Sequence, residues 1–160
     1  MTAEIVKILS TYGQSTVDRI RNNLATTGTN ASGKTAQSLR FTVTNTETKA
    51  ILKITGKPYF MVVETGRKAT PQYTKPSYDF VNDIRLWIAS RGGDQGAAYA
   101  IAKMIHKTGT KLWQQGGRKD IVSNVVNQSL VDQISQDSLK QFAREYLVST
   151  VNMFNDNRNQ

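Results

Sequence analysis

The spacing of apolar residues predicts helices toward both ends of the chain and short extended segments between them. Ile5, Ile8, Leu9, Tyr12, Val17, Ile20 and Leu24 recur at helical steps, which predicts an amphipathic helix over 3–25. Thr2 is its expected N-cap, and Gly13 reads as a mild weak point. A loop rich in Thr, Gly, Asn and Ser follows over 26–34. Leu39, Phe41 and Val43 then alternate with Arg40, Thr42 and Thr44, and Ala50, Leu52 and Ile54 share one face of the next segment. That period predicts half-exposed strands over 38–44 and 49–55, joined by a turn at 45–48. The run Tyr59–Val63 is nearly all apolar, follows the turn Gly56-Lys57-Pro58, and is closed by Glu64 and Gly66. So short a run between turn residues predicts a third strand over 59–64, buried on both faces.

Helical spacing returns after the basic loop that follows Gly66. Phe80, Val81, Ile84, Trp87 and Ile88 predict a helix over 78–91, with Pro76 near its start and Gly92-Gly93 at its end. Ala98, Ile101, Ala102 and Ile105 predict another over 97–107, capped by Asp94 and stopped at Gly109. Residues 108–119 read as a loop. Ile121, Val122, Val125, Val126, Leu130 and Ile134 fit a helix over 120–134, although their valines also suit a strand. Leu139, Phe142, Tyr146, Leu147, Val151 and Phe154 predict a last helix over 138–154, with a polar tail at 155–160 expected to fray. The expected fold is one α+β domain over 1–160, an antiparallel sheet of three or more strands packed with N-terminal and C-terminal helices.

Composition changes this picture in two ways. The 160 residues contain no cysteine, which removes disulfides, thiolate metal sites and cysteine nucleophiles. The net charge of +9 points to nucleic acid, an anionic surface or an acidic protein as partner, or else to plain solubility. No apolar run approaches the ~20 residues of a membrane helix. The N-terminus, with Glu4 early and no basic segment before a long apolar one, does not read as a secretory signal. A soluble protein, made and used in a cytoplasm or inside a particle, is expected.

Little in the chain suggests catalysis, and neither cofactor nor metal is expected. His106 is the one histidine and falls in the last turn of a helix, a position suited to capping carbonyls or facing water. Glu64 is the acid most apt to be special, with a salt bridge to Arg67 or Arg40 favoured over general-base work. The glycines at 28, 33, 56 and 66 form no phosphate-binding loop. Two basic loops stand out. One carries Arg67, Lys68 and Lys75, and the other carries Lys107, Lys111, Arg118 and Lys119 together with Trp113. Residues 67–75 and 108–119 are accordingly expected to be contact loops, with Trp113 either an interface anchor or tucked back on its own domain. Tyr59, Phe60, Tyr73 and Trp113 could stack on bases, though Tyr59 and Phe60 are better placed as core.

An ordered set of short motifs then suggests a family. Ser32-Gly33 precedes Leu39-Arg40, and Pro58-Tyr59 leads to Val63-Glu64-Thr65-Gly66-Arg67. Pro71 and Pro76 follow, then Trp87-Ile88 and Arg91-Gly92, and finally Ala98-Tyr99-Ala100-Ile101-Ala102-Lys103 running to Gly109-Thr110-Lys111. Over 32–119, with the N-terminal helix by position, this order resembles the tail-completion (neck) proteins of tailed phages and prophages. Thr65 departs from the pattern, which often has an aromatic residue there, and 120–154 is a generic helical extension. The resemblance implies a non-enzymatic virion protein, made in the host cytoplasm. It implies a homo-oligomeric ring of six or twelve copies at the head–tail junction, around the DNA channel. The ring's neighbours would be portal, adaptor or tail proteins, and its basic loops would be open to non-specific contact with genomic DNA. Neither a membrane nor a small-molecule substrate is implied. A small basic nucleic-acid-binding protein is the alternative.

Overall fold

A computed structural model of the chain describes residues 3–29, 33–70 and 74–158, with side chains described as far as 151. Four expectations fall outside the described residues: the Thr2 cap, Ser32 of the Ser-Gly pair, and Pro71 and Tyr73 of the first basic loop. So does the Phe154 side chain. The described chain is mostly helical. Its helices are α1 (Ala3–Thr26), α2 (Lys34–Ser38), α3 (Val62–Thr65), α4 (Tyr78–Ala89), α5 (Ala98–Thr108), α6 (Lys111–Gln114) and α7 (Gln128–Arg158), with a 3₁₀ turn at Gln95–Ala97 before α5. The strands β1 (Arg40–Asn45) and β2 (Ala50–Thr55) pair in a two-stranded sheet. The chain forms two compact units, one from Met1–Val17, Phe41–Ile54 and Val126–Gln160, the other from Asp18–Arg40 and Thr55–Val125.

In the first unit, Ile5, Leu9, Thr16 and Val17 of α1 are buried. Leu52 and Ile54 of β2 are half-buried between exposed neighbours, as their alternation requires. Gly13 is a point of close approach and not merely a weak link. A Cβ on it would lie 2.5 Å from Phe41 Cδ2 and 2.8 Å from Leu52 Cδ1, so glycine lets β1 and β2 lie directly on α1. Tyr12 Oη donates to Asp137 Oδ2 at 2.7 Å, tying α1 to α7.

In the second unit, Ile20 and Leu24 of α1, Leu39, Ile88, Ala98, Ala102, Ile121 and Val125 are buried. Helices α4 and α5 pack together, with Ala98 and Ala102 permitting the approach. The Ser77 hydroxyl caps α4 by accepting from Phe80 N, and Asp94 caps the 3₁₀ turn by accepting from Gly96 N.

The expected sheet of three or more strands is corrected to two. Residues 59–64 form consecutive turns that run into α3: Phe60 N bonds Lys57 O, Val62 N bonds Tyr59 O, Val63 N bonds Phe60 O and Glu64 N bonds Met61 O. Burial follows that winding. Tyr59, Met61 and Val62 are exposed, while Phe60 and Val63 are half-buried and Glu64 is buried. A strand buried on both faces has no place for a carboxylate among its neighbours, whereas a helical turn aims Glu64 inward to polar partners described below. The β propensity of Tyr, Phe and Val is overridden by that tertiary requirement.

Three further boundaries change. Residues 34–38 form α2 ahead of β1. The stretch 108–119 contains the short helix α6, with Thr110 as its cap. The helix expected over 120–134 is turn through 120–125, and one continuous α7 replaces the two helices expected C-terminally. That helix reaches Arg158, past the start of the tail expected to fray.

Candidate functional site

Two stretches more than forty residues apart in sequence interlock in the second unit. Thr110 N donates to Arg67 O at 2.9 Å, and Arg67 N donates back to Thr110 Oγ1 at 3.0 Å. The same hydroxyl accepts from Trp113 N at 3.2 Å, so one threonine caps α6 and clamps the segment after α3. Gly66 makes this closeness possible. Its φ of 71° lies in the left-handed region, and a Cβ on it would lie 2.3 Å from Trp113 N.

A second strap follows. Arg118 N donates to Glu64 O at 2.8 Å, and Gly117 lies directly against the same carbonyl. The Glu64 side chain then holds the next turn. Its Oε1 accepts from Ile121 N at 2.9 Å, Val122 N at 2.5 Å and Ser123 N at 3.0 Å, and its Oε2 accepts from Ser123 Oγ at 2.6 Å. Asn23 Nδ2 donates to Ile121 O at 2.9 Å, so the held turn is fastened to α1 as well. Glu64 is 2% exposed. Burial alone would raise its pKa. The bonds from the Ser123 hydroxyl and from the Ser123, Val122 and Ile121 N–H groups outweigh burial and hold it below the ordinary glutamate value.

The expected salt bridge is therefore corrected. Among the described residues no ion pair joins Glu64 to Arg67 or Arg40. Arg40 Nη1 instead donates to the backbone carbonyls of Gln37 and Leu39. The Arg67 guanidinium stacks 3.6 Å over the Phe80 ring, and burial pulls its pKa below the ordinary arginine value. General-base work at Glu64 is disfavoured by the same geometry, since both oxygens are engaged and solvent is excluded.

The seven proposed contact residues separate into two groups. Arg67 is used internally, and Arg118 pairs through two nitrogens with Asp120 at 2.5 and 2.6 Å. Lys68, Lys75, Lys111 and Lys119 are exposed. Lys68 Nζ stands 5.9 Å from the Trp113 ring centre, and that tryptophan is 41% exposed in α6. It is thus neither wholly tucked away nor free. The two basic loops, read separately in sequence, meet here through Arg67, Lys68, Thr110 and Trp113. His106 fastens the first loop from α5. Its carbonyl accepts from Thr70 N at 2.8 Å, and its ring nitrogens lie 3.4 Å from Thr70 Oγ1 and 3.1 Å from Thr74 Oγ1.

A groove of about 710 Å³ opens in the same unit. Its apolar lining includes Tyr59, Val62, Trp87, Met104 and Ile105, and Lys34, Lys57 and Lys111 also line it. Sequence reasoning missed it because Tyr59 and Val62 were assigned to a buried strand.

Compared with protein-family models, with curated proteins and with solved structures, the chain finds no match in any of the three.

Proposed function

We propose that the chain is a structural protein of a tailed-phage virion, one subunit of a ring of six or twelve copies at the head–tail junction around the DNA channel. One observation carries the reading. Glu64-Thr65-Gly66-Arg67 and Gly109-Thr110-Lys111, two pieces of the ordered set that carries the resemblance, clasp each other through paired hydrogen bonds. Pieces that matter only as local turns have no reason to meet. A single clasped unit gives such a set a common structural purpose, the presentation of a stiff surface bearing Lys68, Lys111 and Trp113. The side chains at the clasp support a binding role over a chemical one. Its carboxylate is engaged and its exposed groups are lysines, suited to an acidic neighbour or to DNA phosphates.

The test is placement in particles. Antibody or gold label on a tag should mark the junction of head and tail, and loss of the gene should give unjoined heads and tails. Complete particles lacking the protein would sink the reading. A monomer that binds DNA tightly at physiological salt, with affinity falling steeply as salt rises, would favour the alternative of a free nucleic-acid-binding protein.

A further inference from the structure

Helix α7 is 31 residues long, yet the part after Asp137 has little cover. Leu139 is 67% exposed, Tyr146 73%, Leu147 62%, Val148 61% and Val151 54%, and Phe142 is exposed as well. Successive helical residues point about 100° apart, so Tyr146, Leu147 and Val148 meet water on three different sides. Little tertiary packing supports this part of the helix. Val148, Thr150 and Val151 are β-branched and weak helix formers, and in proteins most helical stability comes from packing of a helix face. A helix apolar on several sides is normally buried on several sides.

We propose that residues 139–151 of α7 form the contact between copies of this chain, each helix packing between those of two neighbours. This rests on the ring reading above and names its interface. Two features select a second copy as the occupant. The exposed side chains offer several hundred Å² of apolar surface, comparable to the ~800 Å² that each partner contributes to a standard stable interface. Charge also permits it. The chain as a whole carries +9 and repels its own copies, but residues 128–151 hold Asp132, Asp137 and Glu145 against Lys140 and Arg144. Lys140 is paired with Asp137 at 3.5 Å and Glu145 accepts from Gln141 Nε2 at 3.0 Å, so charges along this segment are partly balanced within the chain. Helices set side by side in a head-to-tail relation repeat from copy to copy and form a ring where the rotation closes.

The experiment is sedimentation equilibrium of the full chain from low micromolar to submillimolar concentration, with the double variant Leu147→Glu, Val151→Glu in parallel. Both positions are more than half exposed, so the dilute variant keeps the wild-type circular dichroism. Wild type should gain mass with concentration, and the variant should associate at least about 100-fold more weakly. Wild type that stays monomeric throughout overturns the proposal. So does an oligomer that the double variant leaves intact, although that result spares the ring reading. Association through α7 by a protein absent from particles refutes the ring reading alone.

Discussion

Around Glu64 the polar groups of three segments are satisfied at close range, and the backbone of 64–67 is bonded at nearly every step. Along residues 139–151 of α7 the reverse holds, with regular helix bonds inside and large apolar side chains left in water. The first arrangement is complete in one chain. The second leaves apolar surface uncovered. The contrast separates what holds this fold from what the fold offers to others. A buried, fully bonded carboxylate indicates structure, whereas exposed apolar side chains on a weak helix indicate assembly.

The sharpest way to break that contrast is to empty its first side. Glu64→Ala leaves the N–H groups of Ile121, Val122 and Ser123 without their acceptor, and an orphaned buried donor costs about 1–3 kcal/mol. The expected loss is on the order of 3–5 kcal/mol by urea denaturation, and a loss below about 1 kcal/mol would show that the turn at 121–123 is satisfied some other way. Glu64→Gln keeps the shape and an acceptor, so it should lose less. It should also flatten the pH dependence. The folded-state pKa of Glu64 lies below the ordinary glutamate value, so its stabilisation is complete above that ordinary value. It is lost as pH falls through the depressed folded value. Wild type should therefore weaken on acidification below about pH 4.5 more than Glu64→Gln does.

Gly66→Ala tests the clasp without touching its charge. The alanine would need a φ near 71° and would drive its Cβ against the backbone of Trp113. The expected cost is about 2–4 kcal/mol, combining backbone strain with overpacking. Self-association through α7 should persist in this variant wherever it remains folded, since the interface uses other residues. Loss of association in a folded Gly66→Ala protein would show that the two regions are not the independent features described above.

How much of this was legible in the sequence depends on how local the deciding interaction is. Helices α1, α4 and α5 and the pair β1–β2 follow from periodicity because their own side chains define a face. Tyr59–Val63 was misread because the deciding residue is Glu64, whose partners lie more than fifty positions later. The turn at 120–125 was misread for the matching reason. Ile121 and Val125 are both buried, at helical spacing, but the N–H groups of 121–123 converge on a carboxylate. Gly13 looked like a helix defect because its neighbours Phe41 and Leu52 come from strands far along the chain. The two basic loops were both identified, but no local pattern could show that Thr110 joins them. In α7 the apolar stripe was legible, and its exposure was not, since periodicity tells which residues share a face and not whether anything covers it.

Trp113 stands between the two regimes, and it is the last and smallest test. Its N–H is held by Thr110 and its ring lies under Lys68, as in a clasp, but 41% of the residue is exposed, as in an interface. A fully buried tryptophan costs about 3–5 kcal/mol when cut to alanine, and a surface one costs almost nothing. The half-covered ring should fall between, at about 1–2 kcal/mol, since truncation removes roughly half of a core ring's contacts while Thr110 still caps α6 through the backbone. A loss of core size would place Trp113 wholly on the structural side. No loss of stability together with failed incorporation into particles would place it wholly on the partner side. The intermediate value, with incorporation reduced but not abolished, is what a ring that both finishes the clasp and presents a face to the next protein should give.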